Sequence, residues 1–151
     1  MNEQVTPLTD QDVLIFNEMR AGLRNLITQG SEVYDTVDGK LAVINATLRD
    51  GKFDPSNAWL VQALGLTFGD ALAERLGMTW AIVTDAQGRV PVLILPGTSL
   101  KLSAFTTIQQ RLQAGEAVDA VSLFNAFCHS VQTIKQPRRS LFGRLFGPRL
   151  A

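Results

Sequence analysis

Apolar residues return at helical spacing near the start of the chain: Phe16, Met19, Leu23, Leu26 and Ile27 lie three or four apart before Gly30. Thr9 suits the cap of this helix, with Asp12 three residues on to meet the free amides of its first turn. A second helix is predicted from Thr36, with Val37, Leu41, Ile44 and Leu48 on one stripe and Gly51 beyond its end. Asp54 and Pro55 read as a cap and a first helical residue, opening a third helix over residues 55–76. That helix is apolar almost all round, from Trp59 and Leu60 to Leu72 and Leu76, which predicts a central element covered by its neighbours. Gly65 and Gly69 would let another chain segment approach it closely, and Gly77 suits a left-handed stop.

The period then changes to that of strands. Residues 80–84 and 90–95 are β-rich and short, while residues 98–103 alternate strictly, with Thr98, Leu100 and Leu102 on one face and Lys101 on the other. Pro91 falls at the beginning of the second strand, and Pro96-Gly97 has the order of a type II turn. Asp85-x-x-Gly88 also occurs in nucleotide switches. No glycine-rich phosphate loop accompanies it here, so a hairpin turn is expected. Ser103 can cap a short helix with Phe105, Ile108 and Leu112, ending at Gly115. A last helix over residues 118–135 lines up Ala120, Phe124, Phe127, Val131 and Ile134. The fold expected is α+β: N-terminal helices, a three-stranded antiparallel β-meander, then two C-terminal helices packed on one face of the sheet.

Composition changes this picture little. The 151 residues are 46% hydrophobic and 19% charged, which suits a single α+β domain over residues 1–136. With one cysteine, Cys128, neither an internal disulfide nor a cysteine-based zinc site can form, and neither a metal nor another cofactor is expected. A cytoplasmic location is expected, as no segment reaches the length of an apolar membrane span. The charge is unevenly spread. Residues 1–54 hold nine acids and five bases, whereas residues 138–151 hold four arginines and no acid.

The sequence over roughly residues 63–119 resembles a known family. Leu64-Gly65, Gly69-Asp70, Gly77 with Trp80, Asp85 with Gly88, Pro96-Gly97-Thr98 and Arg111 with Gly115-Glu116, in this order and spacing, are similar to the bacterial domain of unknown function 3806. The resemblance implies a shared fold. It brings no established activity, so it assigns no catalytic residue.

Candidate chemistry is sparse. His129, the sole histidine, points away from the apolar stripe of the last helix, and its neighbour Cys128 diverges from it, so a Cys–His pair is not expected. Asp70 and Glu74, one turn apart, form an alternative ligand site, against their simpler role as a solvated face with Gln62, offset by Arg75. Trp80 is expected in the core. The basic tail over residues 137–151 is amphipathic: Leu141, Phe142, Leu145 and Phe146 share one side and Arg144 faces away, a pattern that suits a partner's groove. Self-docking, disorder or a peripheral membrane contact are its other fates. Nucleic acid is not an expected partner, because the basic charge is confined to this tail. Two functions are therefore carried forward. One is a non-enzymatic protein-interaction module (regulatory, adaptor or immunity-like), contacting an unknown protein through the tail or the sheet face. The other is a small-ligand-binding protein or hydrolase using Asp70 and Glu74.

Overall fold

The computed structural model describes residues 3–27 and 31–135. The order is β1 (Gln4–Pro7), α1 (Asp10–Asn25), a 3-10 turn (Ser31–Asp35), α2 (Val37–Arg49), α3 (Ala58–Leu76), β2 (Thr79–Asp85), β3 (Gly88–Ile94), β4 (Lys101–Leu102), α4 (Thr107–Gln113) and α5 (Ala120–Lys135). The strands form one antiparallel sheet in the order β1-β2-β3-β4. The α+β class and the meander are as expected, with β1 added at the edge.

α1 begins as predicted. Thr9 accepts from the Asp12 amide at 3.1 Å while Asp12 accepts from the Thr9 amide at 2.9 Å, a complete capping box. α3 begins later than expected, at Ala58. Asp54 instead accepts from the amide and hydroxyl of Ser56, closing a turn of its own, and Asn57 caps the helix through the Leu60 amide. α3 then runs through the middle, with Leu64, Leu66, Phe68, Ala71 and Leu72 fully buried. α1, α2, α4 and α5 all pack against it, and α5 also meets α2, so the main contacts of the two C-terminal helices are with the helical layer.

β4 is shorter than the alternation predicts. Thr98 is drawn into the turn, where its hydroxyl donates to the Leu95 carbonyl and accepts from the Leu100 amide, leaving Lys101 and Leu102 to pair with β3. Pro91 pairs with Ile82 on β2, and β4 does not extend along β3 as far as Pro91, so its missing donor leaves no ladder bond unmade. Ser103 does not cap α4. Its carbonyl accepts from the Thr107 hydroxyl, and Thr106 precedes the helix without a side-chain bond.

One face of the sheet turns to the helices and carries Trp80, Ile82 and Leu93. The other carries Ala81, Val83 and Val92, which are buried as well. Glu3, just before β1, is ion-paired with Lys101 of β4.

Candidate functional site

Asp70 is the most heavily engaged acid of α3. Its two oxygens receive Arg20 Nε and Nη2, each at 2.8 Å, and Trp80 Nε1 adds a third bond at 3.0 Å. Arg20 also reaches Asn17 at 3.0 Å and lies over the Phe16 ring. The Asp70 carboxylate beside the Arg20 guanidinium pushes the arginine's pKa further up. Trp80 packs edge-on to Phe16 and Phe105. One acid thus ties α1, α3 and β2 together.

This differs from the solvated face expected for Asp70. Its side chain is only 13% exposed and its counter-ion is Arg20 from α1, which the spacing within α3 could not reveal. Glu74 is exposed and makes no ion pair with a described residue. With three donors on Asp70, little acceptor capacity is left for a ligand, and the geometry is that of a strut.

Other polar groups are equally committed. Tyr34 and Thr67 share a buried hydroxyl bond of 2.7 Å, and burial pushes the phenol pKa up. Asn45 on α2 accepts from the Ala120 amide at 2.8 Å and donates to Asp119 at 3.2 Å, fastening the start of α5. His129 is exposed and Cys128 buried, as expected, and desolvation raises the thiol pKa, which disfavours the thiolate. Among the described residues, no three His, Cys, Asp or Glu side chains gather as metal ligands. Nor does any buried side-chain nitrogen or oxygen there lack a hydrogen-bond partner.

What remains open to a ligand is surface relief. A groove of about 630 Å³ runs between the end of α1, α2 and the start of α3. Ile27, Val43, Phe53 and Leu60 line it, and Leu26 and Val33 stand at its lip, 58% and 43% exposed. Leu26 was expected within the apolar stripe of α1. The stripe continues past the point where α3 covers it, and this overrun is the signal that sequence reasoning did not use. A second hollow of about 500 Å³ lies between α2, the end of α3 and the start of α5. The tail residues Leu141, Phe142, Arg144, Leu145 and Phe146 lie outside the described residues.

The model of the family described as "Domain of unknown function (DUF3806)" matches residues 40–124, more than half of the chain. Among curated proteins none matches. A crystal structure from Bacteroides thetaiotaomicron, at 18% identity, shares the fold with a TM-score of 0.66. It covers 85% of this chain, which spans about half (48%) of that protein.

The motifs that carry the family resemblance have structural work in this fold. A Cβ on Gly69 would stand 2.3 Å from the Trp80 indole, and one on Gly65 would stand 2.0 Å from the Phe105 carbonyl oxygen. Asp70 holds Trp80. Gly77, Gly88, Gly97 and Gly115 take positive φ at helix ends and turns. Arg111 pairs with Glu116 across the end of α4.

Proposed function

This chain belongs to the DUF3806 family, and we propose that it is a non-enzymatic protein-interaction module acting in the cytoplasm of a bacterium. The observation that carries this reading is the groove with Leu26 and Val33 exposed at its lip. Apolar side chains left uncovered on a concave surface favour a partner that buries them.

The occupant proposed is a short amphipathic helix of a partner protein. The walls are themselves helices, and Ala42 and Ala46 keep the α2 wall low enough for a third helix to settle between them. Apolar residues at i and i+4 on that helix would meet Val43 and Phe53, with Leu26 and Val33 closing over them. The setting in the cytoplasm accords with the single cysteine, which is free.

The test compares capture of partner proteins by the intact chain, by a Leu26→Glu/Val33→Glu variant and by a Leu14→Glu control. Leu14 is 53% exposed and lies outside the groove lining. A protein retained by the intact chain and the control but lost with the groove variant supports the reading. Equal capture by all three contradicts it. A chain ending at residue 137 reports separately whether the tail contributes.

A further inference from the structure

The second hollow carries an inference independent of the groove. Six arginines lie among the described residues, and four of them, Arg20, Arg24, Arg89 and Arg111, are paired with carboxylates. The two that form no ion pair with a described residue are Arg49 and Arg75, and both line this one hollow. Each stands in the last turn of its helix, where a cation complements the helix dipole. That accounts for a cation at each helix end. It does not account for both facing the same cavity.

The remaining lining has two characters. Leu41, Phe124 and Val121 make it apolar, Val121 being 45% exposed, and Asn125 supplies an exposed amide. Asn45 is held in place by its bonds to Ala120 and Asp119. One acid, Asp38, also lines the hollow, but eleven residues, about 16 Å of helix, separate it from Arg49. The lining therefore carries a net positive charge. A volume of about 500 Å³ is within the range of sites for small organic molecules.

We propose that the hollow between α2, the end of α3 and the start of α5 binds a small organic anion, with a carboxylate or phosphate monoester held by Arg49 and Arg75 and an apolar body against Leu41, Val121 and Phe124. Guanidinium groups match both head groups through paired N–H donors. The apolar part distinguishes this ligand from a free inorganic ion.

The proposal is tested by isothermal titration of the full chain with 1-naphthyl phosphate, 1-naphthoate, uncharged 1-naphthol and inorganic phosphate. Saturable binding of a naphthyl anion is expected, at least about tenfold tighter than naphthol or inorganic phosphate. Arg49→Gln/Arg75→Gln should weaken it by about tenfold or more, whereas Arg49→Lys/Arg75→Lys retains part of the affinity. The choice between the two anions identifies the head group. Absence of saturable binding by both anions overturns the proposal, as does undiminished binding by the glutamine variant. Inorganic phosphate binding as tightly as the naphthyl anions would also overturn it, by removing the apolar part. The Leu26→Glu/Val33→Glu variant should bind the anion normally, so failure here and failure of the groove are separable. Both arginines are exposed and form no ion pair with a described residue, so the glutamine variant should stay folded, its thermal midpoint lowered only by the lost helix-end charges.

Discussion

A carboxylate that accepts three hydrogen bonds can be mistaken for a reactive group when only its neighbours in sequence are known. Asp70 receives Arg20 twice and Trp80 once, and that arrangement makes a prediction about stability. Asp70→Ala should destabilise the fold by about 3 kcal/mol, because it leaves a half-buried guanidinium without its partner and the indole N–H without an acceptor. Asp70→Asn retains an acceptor and should lose less. Urea midpoints at constant slope measure both. The glycines beside it give a second comparison. Gly65→Ala should be the more damaging at about 3 kcal/mol or more, since its obstacle is the Phe105 backbone, while Gly69→Ala meets a side chain that can shift in part. Asp12 shows how pH acts on the same scale. Its bond to Arg89, with the Thr9 amide next, lowers its pKa from 3.8 to about 2. A folded-state value below the unfolded one means the stabilisation is complete above the unfolded value and is lost as pH falls from about 4 through 2. Asp12→Asn should therefore flatten the loss of thermal stability over that window and leave its pH dependence above 5 unchanged.

At the scale of elements, sequence legibility followed the range of the interactions. The Thr9 capping box, the turn at Asp85 and Gly88, and the stop at Gly77 rest on bonds within a few residues, and all three stand in the structure. β1 was not legible. Four exposed residues ending in proline carry no alternation to read, and their strand character comes from pairing with β2, more than seventy residues away. α5 is capped locally by Asp119, which accepts from the Val121 amide, but its tie to α2 through Asn45 was equally hidden. Likewise, Arg20 as partner of Asp70 required α1 and α3 to be laid side by side. Of the candidate site, the buried cysteine and exposed histidine could be read. The overrun of the α1 stripe at Leu26 hints at the groove, but its walls are a property of three helices together. The Asn45 bond leads to a prediction of its own: Asn45→Ala should destabilise the chain by about 1–2 kcal/mol. Hydrogen exchange should locate the loss of protection in the first turns of α5, with β2 and β3 unaffected.

Across the whole molecule, polar side chains hold layers together and apolar ones fill them. Arg20, Asp70 and Trp80 bind three elements, and Asn45 binds the start of α5. Such a body offers partners its relief, and the groove leaves Leu26 and Val33 uncovered at its lip. The most direct measurement places a photo-crosslinking side chain at position 26 of the full chain and, separately, at position 14, and maps the peptide attached at each. The account predicts one partner protein joined at position 26 through a short amphipathic helix, lost when Val33→Glu is added, with position 14 unlabelled by it. Identical adducts from both positions, or adducts indifferent to Val33→Glu, would contradict the account.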